Sequence, residues 1–192
     1  MFFLTRPTAQ RIDRFLRLAE QDTFSYPEVG ATLGEVIPDQ YNLDHNRIRL
    51  GEGLPLFEHA YAALKAWKMF ELGWMELFHP AEPVAAGQTV LVLAHTFGVY
   101  SLSANRIIAM IDEDSGQLWR RGFSYGTLLH HVERGEERFS VEYHRGDDSV
   151  WYDILAFSVP QHPLARLGYP LSRAAQRRFA VDSKAAMLRA VS

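Results

Sequence analysis

Residues 122–139, GFSYGTLLHHVERGEERF, join two runs rich in aromatic and β-branched side chains through a segment dense in glycine, histidine and charge. Arg134-Gly135 predicts a two-residue turn in which Gly135 supplies the positive φ, so the stretch reads as a β-hairpin. In that register Glu133 faces Glu136, His131 faces Arg138, His130 faces Phe139 and Leu128 faces Val141. Strand alternation then sets Gly126, Leu128, Phe139, Val141 and Tyr143 on one face, with His130 and Glu137 at its turn end. The other face takes Tyr125, Thr127, His131, Glu136, Arg138 and Glu142. A bulge at Gly122 or Gly126 would exchange the two.

Outward from the hairpin the same period recurs. Trp74 to Phe78, Thr89 to His95, Tyr100 to Ile111, Leu118 to Leu128, Glu137 to His144 and Val150 to Phe157 predict strands, separated by turn-forming clusters at 80–87, Asp112 to Gly116 and Arg145 to Asp148. Arg47 to Leu50 predicts a further strand ending in Gly51-Glu52-Gly53, and Val29 to Leu33 a short one. Helical spacing appears at Ile12, Phe15, Leu16 and Ala19, and again at Phe57, Ala60, Leu64 and Trp67 after Pro55, the second helix ending near Phe70. The tail after Pro163 places Leu164, Gly168, Leu171, Ala175, Phe179, Asp182 and Ala186 on one helix face, broken at Pro170. The fold class expected is α+β: a curved six- to seven-stranded antiparallel sheet wrapped around a long C-terminal helix, with two short helices N-terminal to most of the sheet, in a single domain over residues 1–192. A sheet gripping one helix tends to leave a cavity between them.

Several stretches carry a resemblance. GFSYGTL at 122–128, His131 and Glu133-Arg134-Gly135-Glu136-Glu137-Arg138-Phe139 resemble the signature of the DUF1990 (UPF0548) family of uncharacterised bacterial and plant proteins. Tyr26-Pro27, Gly30-Ala31-Thr32, Leu50-Gly51-Glu52-Gly53, Trp67, Trp151, Phe157-Ser158, the run 162–170 and Gln176-Arg177-Arg178-Phe179 extend the likeness over nearly the whole chain. Leu129, His130 and Val132 depart from it, standing where proline, glycine and a small residue or proline are expected. The resemblance implies a helix-grip fold, similar to START lipid-transfer domains and the birch-pollen allergen, and implies no activity.

With 192 residues, 47% hydrophobic and 22% charged, the chain suits one domain that buries ~70% of its unfolded surface. It has no cysteine, which excludes disulfides, thiolate metal sites and cysteine nucleophiles and fits a reducing compartment, so the cytoplasm is the expected location. Met1 to Leu4 is far shorter than a signal-peptide core, and no window predicts an integral membrane segment. A net charge of -3 argues against a nucleic-acid partner, since Arg166, Arg173, Arg177, Arg178 and Arg189 suit a solvated helix face.

No spacing specifies a cofactor, a metal or an oligomeric state, and no catalytic residue is assigned. Gly122-Phe123-Ser124-Tyr125-Gly126 matches the nucleophile-elbow pattern but lacks the helix that must follow it. His130 and His131, adjacent on a strand, would point apart and could not chelate one ion. The expected function is therefore non-enzymatic binding, carriage or sensing of a small hydrophobic or amphipathic molecule in the cavity. Its candidate ligand-binding residues are Glu137, Arg106, Tyr125, His131, Arg138 and Tyr143. Glu137 would sit at the cavity mouth with its pKa raised by desolvation unless a cation such as Arg106 or Arg120 reaches it. Two alternatives remain: an enzyme of the same fold using Glu137, His131 or Tyr125 for acid-base chemistry, and a structural domain with a filled core.

Overall fold

The computed structural model describes residues 1–34, 37, 39–78, 83–161 and 168–192. In chain order the elements are β1 (Phe2–Phe3), α1 (Ala9–Ala19), β2 (Asn42–Glu52), α2 (Leu54–Lys65), β3 (Met75–Phe78), β4 (Thr89–Thr96), β5 (Val99–Asp114), β6 (Leu118–Thr127), β7 (Glu133–His144), β8 (Ser149–Pro160) and α3 (Tyr169–Val191). One antiparallel sheet holds all the strands in the order β2-β8-β7-β6-β5-β4-β3, and β1 pairs with β5 at Ser101 and Tyr100, beyond the end of β6. The 23-residue α3 lies on the inner face of the curved sheet. This is the helix-grip arrangement.

Both faces of the sheet are covered. On the inner face Phe123, Phe139, Val141 and Tyr152 pack against Phe57 and Leu64 of α2 and Phe179 and Met187 of α3. Phe139 is fully buried, with Phe123 at 5.7 Å and Phe179 at 6.3 Å between ring centroids. Each such side chain contributes about 1.5–3 kcal/mol by leaving water. On the outer face α1 sets Ile12, Phe15 and Ala19 against Leu91, Leu93, Leu102 and Ala104. Strands covered on both sides cannot alternate apolar with charged residues throughout, which explains runs such as Val90-Leu91-Val92-Leu93.

α2 stops earlier than its apolar spacing suggests. Trp67 turns left-handed at φ 57°, and a single 3-10 turn follows at Lys68–Phe70. The indole gains contacts for this strain, lying 4.8 Å from the Phe123 ring. The short strand expected at Val29 to Leu33 is instead a 3-10 turn at Ala31–Leu33, because Glu136 draws in the Gly30 and Thr32 amides. Pro170 opens α3 rather than breaking a helix; the expected first piece from Leu164 lies outside the described residues.

The central hairpin needs a larger correction. Arg134-Gly135 is not the turn: β6 ends at Thr127, β7 begins at Glu133, and the chain reverses between them. Tyr125 faces Glu137 and Arg121 faces Val141, where Leu128 was expected opposite Val141. The slip is seven residues, and an odd slip exchanges the faces of one strand relative to the other. Tyr125 therefore shares the inner face with Glu137, Phe139 and Tyr143, while Gly126 and Ser124 face outward with Glu136 and Arg138. Thr127 helps set this register. Its Oγ1 accepts from Gly135 N–H at 2.9 Å and lies 3.1 Å from Gly135 O, and its carbonyl accepts from Ser25 N–H at 3.0 Å. Gly135 does have positive φ, +151°, but inside a strand, where an added Cβ would stand 1.9 Å from Phe157 O.

Candidate functional site

Between the inner face of the sheet and the first half of α3 lies a cavity of about 1110 Å3. Leu171, Ala175 and Phe179, one helix turn apart, supply its helical wall, and Val92 and Ile154 belong to the opposing sheet. Polar lining residues come from β2, β8 and α3 and also from the place where β5, β6 and β7 run side by side. Asn105 and Ile107 of β5 face Thr127 and Tyr125 of β6, and Tyr125 faces Glu137 of β7. Alternation aims these side chains at the helix, so Asn105, Tyr125 and Glu137 form a stripe across three strands.

Tyr125 donates to Glu137 Oε2 at 2.9 Å, and among the described residues it is the one group bonded to that carboxyl. Burial pushes Glu137 up to about 8; the Tyr125 hydrogen bond opposes that, and the negative charges of Glu133 and Asp44 add to it. At neutral pH Glu137 is therefore mostly uncharged. Burial raises Tyr125 well above the usual phenol range. Glu133, next but one on the same face, is also raised by burial, and its Oε2 accepts from Ser158 at 3.2 Å and from Gln176 of α3 at 2.5 Å. Asn105 is 2% exposed, and among the described residues its Oδ1 has no hydrogen-bond partner.

The first half of α3 is tied down by polar contacts over this cavity. Arg173 grips both oxygens of Asp44 on β2 at 2.5 and 2.7 Å, and Tyr169 donates to Asn42 at 3.1 Å.

Three of the sequence-derived candidates meet here. Glu137 and Tyr125 line the cavity, Tyr125 on the face opposite to the one expected. His131 also lines it, from the loop between β6 and β7 rather than from a strand. Its Nδ1 stands 2.9 Å from Glu133 N, and burial lowers its pKa to about 3, so the imidazole is neutral. His130 lies in the same loop, not on a strand.

The other three are elsewhere. Arg106 faces outward, where its guanidinium donates to the carbonyls of Ala19 and Asp22 at the end of α1, at 2.8 and 2.7 Å; it does not reach Glu137. Arg120 is likewise held outside, by Glu142 at 2.9 Å. Arg138 is buried on the outer face, donating to Thr32 O at 2.9 Å and Asp153 at 3.1 Å. Tyr143 sits at the far end of β7 near α2, bonded to Asp148 at 2.5 Å. Tyr125, His131, Glu136 and Arg138, expected together on one face of the hairpin, are thus divided between the two faces. Glu136 accepts from Tyr26 Oη at 2.8 Å, from Gly30 N at 2.7 Å, and from the amide and hydroxyl of Thr32, which anchors the 26–32 loop to the sheet. Ser124 is fully buried on that face, in mid-strand rather than at a turn, and among the described residues its hydroxyl has no hydrogen-bond partner to act as a base.

A family model for the domain of unknown function DUF1990 matches residues 25–186. The chain belongs to the DUF1990 family. Its relatives include UPF0548 proteins of Dictyostelium discoideum, 36% identical over 100% of this chain and 96% of that one, and of Deinococcus radiodurans, 38% identical over 94% and 93%. Solved structures resemble it more distantly. Ara h 8.0201 gives a TM-score of 0.46 at 10% identity, covering 78% of this chain and 99% of the other. Norcoclaurine synthase of Thalictrum flavum, in complex with dopamine and hydroxybenzaldehyde, gives 0.42 at 10% identity, covering 81% and 91%. For this DUF1990 chain the helix-grip description rests on its own sheet order and on the helix seated against it.

Asn105, Glu133, Gln176 and Asp44 belong to the site without having been singled out in the sequence. Ser101-Leu102-Ser103-Ala104-Asn105 does alternate polar with apolar residues, a pattern that marks one polar face of a strand. No periodicity marks Gln176 or Asp44 as site residues, since their contacts depend on where α3 docks.

Proposed function

We propose that this protein binds a small hydrophobic or amphipathic molecule in the cavity beneath α3 and holds it without transforming it. The observation behind this reading is the cavity itself: about 1110 Å3, with aliphatic and aromatic walls and polar groups contributed by several strands and by α3. That combination suits an amphipathic ligand, whose apolar body gains from leaving water while its polar end is oriented by hydrogen bonds.

Native mass spectrometry of the purified protein should show a retained small molecule, and Ala175→Trp, which places a large ring in the cavity, should abolish retention while leaving the circular dichroism spectrum unchanged. A ligand retained equally by both proteins places binding elsewhere.

One observation favours the enzymatic alternative. A carboxyl group held near neutrality beside a phenol is suited to general acid-base chemistry. That reading requires turnover of the retained molecule, lost in Glu137→Gln while binding persists.

A further inference from the structure

We propose that the open end of this cavity docks on an anionic lipid bilayer, with Phe97 and Leu4 inserted among the lipids. The inference goes beyond the proposed ligand binding and stands on different residues. It starts from Phe97, which with Gly98 makes the two-residue turn between β4 and β5, where Thr96 pairs with Val99. Both turn residues have positive φ, 52° and 77°, the geometry that asparagine followed by glycine fills with least strain. An aromatic residue there strains the backbone, and with 62% of its surface exposed Phe97 gains little burial in return. Turn chemistry and core packing both disfavour this side chain, which points to a use outside the fold.

Other exposed apolar side chains gather at the same end. β1 pairs Phe2 with Ser101 and Phe3 with Tyr100, which brings Leu4, 85% exposed, to the start of β5 beside the turn. On the helical side Val181 is exposed. Its neighbour Asp182 accepts from Trp74 Nε1 at 2.8 Å, and Trp74 O accepts from His95 N–H at 2.8 Å, so this part of α3 is tied to the end of β4 that enters the turn. Leu4, Phe97 and Val181 all line the cavity while facing solvent, and they therefore rim its opening.

The unpaired charge at this rim is positive. Arg177, one helix turn before Val181, is exposed on the lining, and the Arg11 guanidinium lies 5.6 Å from the centre of the Phe3 ring. Among the described residues neither makes an ion pair, whereas Arg6 is compensated by Glu76 at 2.6 Å and Arg178 by Asp182 at 3.3 Å. Exposed apolar tips flanked by unpaired arginines match an anionic bilayer, whose headgroups attract the cations while its acyl region takes the tips. A protein partner fits less well, because three separate elements around an opening offer points of contact rather than a continuous face.

The test is flotation of the intact protein with vesicles of phosphatidylcholine alone and of phosphatidylcholine mixed about 3:1 with phosphatidylserine. The protein is expected to float with the mixed vesicles, and less so as salt rises from about 0.1 to about 0.5 M. Phe97→Asn should weaken this binding at least about fivefold while raising the melting temperature, because asparagine accepts the left-handed turn, so the loss cannot come from unfolding. Leu4→Ser should also weaken it, and Arg177→Gln should reduce its dependence on salt. Failure of the wild type to float with the mixed vesicles overturns the inference, as does binding that Phe97→Asn leaves unchanged. A dimer in sedimentation equilibrium that Phe97→Asn dissociates gives the rim to a second copy of the chain and overturns it too. Native mass spectrometry reads the cavity separately: a retained ligand without vesicle binding sinks this inference and leaves the proposed function standing, and vesicle binding without a retained ligand does the reverse.

Discussion

Tyr125 and Glu137 face each other across β6 and β7, phenol oxygen 2.9 Å from carboxyl oxygen, with both side chains turned toward the helix. The pair is held by register and by burial. Tyr125 has Phe139 beside it at 5.3 Å between ring centroids, and among the described residues no cation pairs with the carboxyl. In the folded protein the acid keeps its proton up to about pH 8, whereas in the unfolded chain it loses it near the ordinary glutamate value of 4.5. Between those values the unfolded state binds fewer protons, so this group lowers stability progressively as pH rises from 4.5 to 8. Tyr125, Glu133 and Asp44 are the ionisable groups that act on it. Glu137→Gln, which never ionises, should match the wild type in melting temperature at pH 4.5 and exceed it by several degrees at pH 8.5. Thermal unfolding across that range checks this, and a pH-independent difference would show that Glu137 is not held neutral.

Gly135→Val should destabilise the fold by about 3 kcal/mol or more, through close approach of two strands rather than through a tight turn. The added Cβ would meet Phe157 O at 1.9 Å and Ser158 Cα at 2.8 Å, both backbone atoms of β8 that cannot move without breaking the β7–β8 pairing. Overpacking and positive-φ strain each account for roughly 1–3 kcal/mol. Urea unfolding measures the loss. Gly135→Ala should be nearly as harmful, since the clash arises at Cβ, whereas a relaxed turn would tolerate alanine better than valine.

Glu136→Ala should release the 26–32 loop. The substitution strips Tyr26 Oη, Gly30 N and both donors of Thr32 of their acceptor, and Tyr26, Thr32 and Glu136 are all buried. Buried donors left without a partner cost about 1–3 kcal/mol each, so the total loss should exceed that of most single substitutions. Hydrogen exchange should show the loop amides losing protection before the strands do. Tyr26→Phe removes one of these donors and should cost correspondingly less.

The strands and helices were legible because their periods survive in the sequence. Ile12, Phe15 and Ala19 keep helical spacing on one face of α1, and Phe139, Val141 and Tyr143 keep the two-residue spacing of β7. The helix-grip architecture followed from their order. The pairing of β6 with β7 was not legible, since Arg134-Gly135 carries the chemistry of a turn while packing against β8, and because the odd slip turned over one strand, Tyr125 was expected on the wrong face. Arg106 was misplaced for a related reason: its charge suggested a partner for Glu137, but its position on β5 pairs with Gly126 and points it at the carbonyls ending α1. Glu137 was placed on the inner face because its alternation with Phe139 and Val141 does not depend on the turn.

Arg173→Ala should loosen the cover of the cavity without unfolding the protein. α3 is held in two different ways along its length. Its second half contributes Phe179, Ala186 and Met187 to buried packing, whereas its first half hangs on Arg173 to Asp44, Gln176 to Glu133 and Tyr169 to Asn42. The Arg173 pair is partly exposed, with side-chain exposures of 20% and 29%, so losing it should cost no more than about 1 kcal/mol of global stability. Locally the effect is larger, because those polar ties hold the turns carrying Leu171 and Ala175 over the cavity. In Arg173→Ala, amide exchange should accelerate from 171 to 177 and stay unchanged beyond Phe179, and a bound ligand should dissociate severalfold faster with little change in melting temperature. Faster exchange along the whole helix would mean that its two halves are one cooperative unit. Unchanged exchange at its start would mean that Arg173 and Asp44 contribute no closure.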